Sequence, residues 1–191
     1  MIYISESTWQ TMLKELARTK GNVERVAFLD GPRRGGIGFV TTVTLPDAIL
    51  APGSYDVTPA AMSQAGKHLR RFQIERLAQI HTHDGDWVNH SGKDSSQAYS
   101  QMPGALSIVL PRHGREAPMP SESGIHIREE HGWRRLDTDE VDATFLIIPS
   151  VLDFRSPESL ASEETITWSE YRAATKAMLA GFFHRFLKLP R

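Results

Sequence analysis

The sequence predicts an α/β (α+β) domain, a mixed β-sheet flanked by helices, followed by a C-terminal amphipathic helix. Three observations lead there. Segments of helical and of strand periodicity interleave along the chain. Clusters containing Gly and Pro separate them. The length, 191 residues with 40% apolar and 24% charged, suits one domain with a sizeable core and some appendage, but not two full domains and a linker.

Ile2 and Ile4 alternate with polar residues as in a short strand, and Trp9, Met12, Leu13 and Leu16 then fall at helical spacing. A first helix is expected from about Ser7 to Lys20, with Ser7 and Gln10 at capping-box spacing and Gly21 at its stop. Glu24 to Leu29 reads as a strand. After the turn D-G-P-R-R-G-G, the β-branched run from Ile37 to Thr44 completes a hairpin. Leu45 to Asp56 reads as a loop. Thr58-Pro59 supplies an N-cap and a first-turn proline for a helix to about Phe72. Strands are expected at Leu77–His81, Ala105–Leu110, Gly124–Glu129 and Thr144–Ile148, with a helix from Ser91 to about Gln101.

Residues 154–164, rich in Ser and Glu and broken by Pro157, read as a linker between a domain at 1–153 and a helical extension at 165–191. In that extension Tyr171, Ala174, Met178, Leu179, Phe182, Phe183 and Phe186 form one stripe. Such a stripe suits a helix packed on its own domain, and secondly a helix that docks a partner.

With 22 Lys plus Arg against 23 Asp plus Glu, the chain has no net basic field for a phosphate backbone. The paired basics Arg33-Arg34, Arg70-Arg71 and Arg134-Arg135 are scattered in sequence, so nucleic acid is not an expected partner. The absence of cysteine removes disulfides, Cys-based zinc sites and thiol nucleophiles together, leaving His and carboxylates for any metal. Neither a signal-peptide pattern nor an apolar run near the roughly 18 residues of a membrane span is present. A cytoplasmic protein that does not contact membrane is the expectation.

The chemistry concentrates in H-T-H-D-G-D-W-V-N-H-S-G-K-D, from His81 to Asp94. Residues i and i+2 of a strand project from one face, so His81 and His83 can offer both imidazoles to one ion. Asp94, three residues after Ser91 where a helix should begin, can close a third position. Two imidazoles and a carboxylate leave a fourth position of Zn2+ for water, as in catalytic zinc sites. Other H-x-H frameworks fit poorly: Gly85 and Asp86 stand where a β-lactamase-type site needs Asp then His, and Trp87 and Val88 where a cupin needs Glu. His90 and Asp86 are expected as solvated or supporting groups, Trp87 as a cleft wall or a cover over the turn. His68, His113, His126, His131 and His184 lack partner spacing and are expected at the surface.

The full spacing H-x-H-x7-S-x2-D is similar to the signature of the JAMM (MPN) zinc metalloproteases. The resemblance covers roughly residues 1–150, and its wording H-T-H-x-G-D-W-x-x-H-S looks most like bacterial members. Asp84 stands where the family usually has Pro after the second His, and His90 where it often has Pro before the Ser. The resemblance implies an MPN/cytidine-deaminase-like fold and one Zn2+ per chain on His81, His83 and Asp94. It also implies that Glu24 acts as the base that activates water, and that Ser91 stabilises the oxyanion. It further implies a deubiquitinase-like isopeptidase that cleaves after the C-terminal glycine of a ubiquitin-like protein or its conjugate, with an activating or conjugating enzyme as a candidate partner. A peptidase for a sulfur-carrier or other small precursor, and a non-catalytic MPN scaffold module, are the alternatives.

Overall fold

The computed structural model describes residues 1–18, 21–155 and 168–186, the last helix with side chains as far as Leu179. The chain divides into two units, Met1–Val151 and Leu152–Arg191.

The first unit contains, in order, β1 (Ile2–Ser5), α1 (Glu6–Leu16), β2 (Val26–Gly31), β3 (Arg33–Arg34), β4 (Ile37–Phe39), β5 (Thr42–Thr44), β6 (Ala48–Ala51), β7 (Ser54–Val57), α2 (Pro59–Phe72), β8 (Glu75–Thr82), α3 (Gly92–Gln97), β9 (Leu106–Leu110), β10 (Gly124–Glu129), β11 (Gly132–Arg135), α4 (Thr138–Thr144) and β12 (Phe145–Ile148). The main sheet has the order β11-β10-β9-β8-β2-β5. Its β8 and β9 run parallel and its other pairs antiparallel, so it is mixed.

The single expected sheet is three among the described residues, the others being β12-β1-β4-β3 and the pair β6-β7. The expected strand from Ile37 to Thr44 divides between two of them: β4 pairs with β1, while β5 pairs with β2. The chain changes sheets at Val40 and Thr41, whose N–H groups donate to Tyr3 and Asp30 carbonyls at 2.8 and 3.0 Å. Gly31 permits the crossing, because a Cβ there would meet the Phe39 carbonyl oxygen at 1.8 Å. The expected loop at 45–56 is instead the β6–β7 hairpin, turned at Pro52-Gly53 with Gly53 at φ +69. The sequence reading also misses β11 and α4.

Helix α1 starts earlier than expected, because Ser5 and not Ser7 is its cap: the Ser5 hydroxyl accepts the Thr8 N–H at 3.2 Å. It also ends at Leu16, short of the expected Lys20. Its buried stripe, Trp9, Met12, Leu13 and Leu16, joins Ala27, Leu29, Ala78, Ile80, Leu106, Ile108, Leu110 and Ile125 in one core. Those sheet residues alternate with Phe28, Gln79, His81, Ser107 and His126, which therefore project from the opposite face. One face is the core, and the other carries the polar groups.

In the second unit, α5 (Trp168–Phe186) presents exposed side chains from Trp168 to Leu179. Most of the expected linker, residues 156–164, and the expected helix start at 165 lie outside the described residues. So do the side chains of Phe182, Phe183, His184 and Phe186. No helix among the described residues is long and apolar enough to cross a membrane.

Candidate metal centre

The site forms where β8 runs out. His81 is its penultimate residue, and His83 follows its end with its N–H still bonded to the Leu110 carbonyl at 2.9 Å, which keeps both imidazoles on one face. After the turn, Ser91 caps α3 by a reciprocal pair of bonds: its hydroxyl accepts the Asp94 N–H at 3.1 Å, and its own N–H donates to Asp94 Oδ2 at 2.7 Å. The cap thus fixes the carboxylate that the site uses.

One ligand atom from each of His81, His83 and Asp94 lies within 4.8 Å of the others. Asp94 oxygens stand 3.3 Å from His81 Nε2 and 3.5 Å from His83 Nε2. Two ligands held about 2.0–2.1 Å from one zinc ion at the tetrahedral angle are about 3.3 Å apart, so the carboxylate lies near enough to each imidazole to share an ion with it. The donor chemistry fits as well. Both ring nitrogens of His81 are buried without a hydrogen-bond partner among the described residues, a cost that an ion on Nε2 would remove for that atom. His83 Nδ1 donates to the Trp87 carbonyl at 2.9 Å, which leaves Nε2 as the free electron pair facing Asp94.

The charges follow from this packing. Burial pulls the His81 pKa below its ordinary value, only partly offset by Asp94, and keeps the imidazole neutral. Burial acts in the same sense on His83, but Asp94, the Trp87 carbonyl and Glu24 outweigh it and raise its pKa. Burial would raise Asp94, yet the close approach of the two imidazoles outweighs it and holds it well below the usual carboxylate range.

Glu24 lies two residues ahead of β2 and not on the strand as expected, but Arg25 keeps it in line by exchanging 3.0 Å bonds with Thr82. Its Oε1 is 3.9 Å from His83 Nε2, and the residue is 7% exposed. Burial, opposed by His83 and reinforced by Asp94 and Asp84, lifts its carboxyl to about 7. The Glu24 N–H donates to the Ala51 carbonyl at 3.3 Å, so the β6–β7 hairpin helps to place it.

The structure brings all five expected residues to one place and arranges their neighbours unevenly. Trp87 is half exposed and stacks on His83, with ring centroids 5.2 Å apart. Asp86 is held in a surface ion pair with Arg112. His90 turns inward: Nε2 bonds Ser107 Oγ at 3.0 Å, and its ring stacks on His126 at 4.0 Å. His126 and His113, expected at the surface, are both 3% exposed. His126 is buried because β10 is covered on both faces, and His113 because its turn supports the end of β8, donating its N–H to the His83 carbonyl at 2.7 Å. Asn22, which the sequence reading passes over, bridges His113 Nε2 and Asp84 at 2.9 Å each. No motif marks it; only its place beside Glu24 does.

No family model matches the chain, and no curated protein matches it significantly. Solved structures do. A Desulfitobacterium hafniense protein solved in solution superposes at a TM-score of 0.62 with 17% identity, covering 79% of this chain and 95% of that one. A JAB1/MPN domain protein from Archaeoglobus fulgidus gives 0.40 and 11%, over 71% and 94% of the two chains. A Salinibacter ruber protein gives 0.48 and 14%, over 71% and 88%. Of these three, only the first superposes well enough to speak for the fold, and its name states no activity.

Proposed function

We propose that this chain is a zinc-dependent hydrolase of amide bonds, with His81, His83 and Asp94 as the ligands, Glu24 as the base and Ser91 beside them. One observation carries the reading: two imidazoles and a carboxylate whose ligand atoms all lie within 4.8 Å of one another, with a raised, buried carboxyl next to them.

When bound, zinc would polarise the substrate carbonyl and acidify a water. The rest falls to the chain. Burial lifts the Glu24 carboxyl to about 7 without an ion, and the charge of a bound zinc would draw it back toward the ionised form, in which Glu24 can take a proton from water and later return it to the leaving amine. Ser91 Oγ is occupied as an acceptor by the Asp94 N–H, but its own hydrogen stays free to donate to the oxygen that gains charge. Trp87 shields the outer side of His83, and Asn22 braces Asp84 near Glu24.

The substrate that best suits this reading is the amide after the C-terminal glycine of a ubiquitin-like protein or its conjugate. Support for it is the His81-to-Asp94 motif and its similarity to JAMM proteases. The test uses purified full chain loaded with zinc and a ubiquitin-like protein carrying a C-terminal fluorogenic amide. Glu24→Gln should keep one zinc per chain and lower turnover at least a hundredfold. Turnover unchanged in that variant would remove Glu24 as base. A parent chain that takes up no zinc would sink the hydrolase reading altogether.

A further inference from the structure

Two arginines far apart in sequence, Arg34 and Arg71, come together through the fold around Phe72, Arg34 lining the same cavity as that ring and Arg71 lying over it, remote from the metal centre. The cavity, about 450 Å³, is lined by Arg34 on β3, Thr41 and Thr42 at the start of β5, and His68 and Phe72 on α2. It opens beside the first residue of β8, whereas the metal ligands stand at the other end of that strand, about 25 Å away at 3.3 Å per residue.

Each part has an ordinary explanation. Charged residues on an edge strand discourage sheet-to-sheet association, and β3 ends its sheet. Arginines in the last turn of α2 offset the helix dipole. Neither accounts for the convergence. Arg33 is balanced by Glu75, but Arg34, Arg70 and Arg71 make no ion pair among the described residues. Phe72 is 54% exposed, with the Arg71 guanidinium 5.2 Å over its ring and His68 packed against it at 4.7 Å. His68 Nε2 is buried at the cavity wall with no partner among the described residues. An exposed aromatic flanked by unpaired arginines is the composition of an interface hot spot, not of a solvated surface.

We propose that this cavity docks an acidic segment of a partner protein that carries one aromatic or large aliphatic side chain. The apolar side chain packs on Phe72, flanking carboxylates pair with Arg34 and Arg71, and one acceptor satisfies His68 Nε2. The free edge of β3 gives an extended segment main-chain partners as well.

The probe is a fluorescein-labelled heptapeptide with three acidic residues on each side of one phenylalanine, titrated against the full chain by anisotropy. Expected are saturable binding that weakens with salt, at least tenfold weaker binding when glycine replaces the phenylalanine, and none when lysines replace the acids. Arg34→Glu combined with Arg71→Glu should weaken binding at least tenfold, and Phe72→Ala similarly. Arg115→Glu, another exposed arginine outside the cavity, should change it less than twofold. All three side chains altered at the cavity are exposed, so melting curves matching the parent are expected and certify the fold. Absence of binding, equal binding of the lysine peptide, or unchanged affinity in the double variant would overturn the proposal. So would complete displacement by inorganic phosphate at the peptide's own concentration, which would assign the cavity to a small anion.

Discussion

Ile80 and His81 are neighbours on β8, equally buried at 0% exposure, and they face opposite sides of one sheet. Ile80 joins the core with Ala27, Leu29, Ile108 and the stripe of α1. His81 faces Tyr55, His83 and His90, whose rings lie 5.1 to 6.1 Å away, and both of its nitrogens lack hydrogen bonds among the described residues. The two-residue period thus separates the groups that hold the fold from those reserved for a ligand, at no distance along the chain. Equal burial conceals opposite energetics: the apolar face gains by being dry, while the polar face bears an unpaired imidazole nitrogen that a bound ion would satisfy.

The sharpest way to break that contrast is to change the two neighbours separately and measure metal-free stability by denaturant unfolding. Ile80→Ala should cost about 2–5 kcal/mol, the usual range for truncating a fully buried aliphatic side chain. His81→Phe keeps a planar ring and replaces two unpaired nitrogens with carbon, so metal-free stability should hold or rise by about 1 kcal/mol. The same variant should lose its zinc, measured by metal analysis after dialysis. A loss from His81→Phe as large as that from Ile80→Ala would show that the polar face also holds the fold.

A smaller effect comes from the loop that closes over the polar face. A Cβ on Gly124 would meet the Val88 carbonyl oxygen at 1.8 Å, so the backbone of the 84–91 turn passes directly over β10 there. Gly124→Ala must push that turn outward and should cost about 1–3 kcal/mol, in the range of other overpacking changes. Because the turn carries Trp87, whose carbonyl orients His83, zinc affinity should fall along with stability. Stability lost with zinc affinity intact would mean that the turn and the site are uncoupled.

This division of faces also decides what could be read in the sequence. The cluster of His81, His83 and Asp94 was legible because a strand end and a helix start impose short-range rules, i to i+2 for His81 and His83 and i to i+3 for Ser91 and Asp94. The core stripe of α1 and the proline-capped start of α2 were legible for the same reason. Partners distant in sequence were not. His126 pairs with His90 only because β9 and β10 are neighbours, and no local signal announces that the face of β10 opposite Ile125 is covered. The division of residues 37–44 between two sheets likewise depends on Gly31 lying against Phe39, a contact made by the fold. Arg34 and Arg71 look unrelated in sequence for the same reason.

His90 and His126 give the smallest test and the one most specific to the polar face. Burial first, then the proximity of the two rings, lowers His90 to about 3. Burial and the Arg135 charge, against the Gly124 carbonyl, bring His126 to about 4. Both titrate near 6.5 when unfolded, so below that pH the unfolded chain binds protons that the folded chain refuses. Stability contributed by their neutral forms is therefore complete above about pH 6.5 and is lost as pH falls toward about 4. For His126 alone the loss should reach about 1 kcal/mol by pH 5.5, at 1.36 kcal/mol per pH unit. The measurement is the difference in unfolding free energy between the parent and His126→Phe, both in chelator so that metal release does not contribute. Glu24, whose raised pKa gives the opposite slope as pH rises from 4.5 to about 7, is common to both proteins and cancels in the difference. The parent should lose ground to the variant steadily from pH 6.5 downward. A difference that stays flat from pH 7 to 4.5 would mean that the sheet face around His126 admits water and a proton freely, and that the contrast with the dry face behind it is weaker than the packing implies.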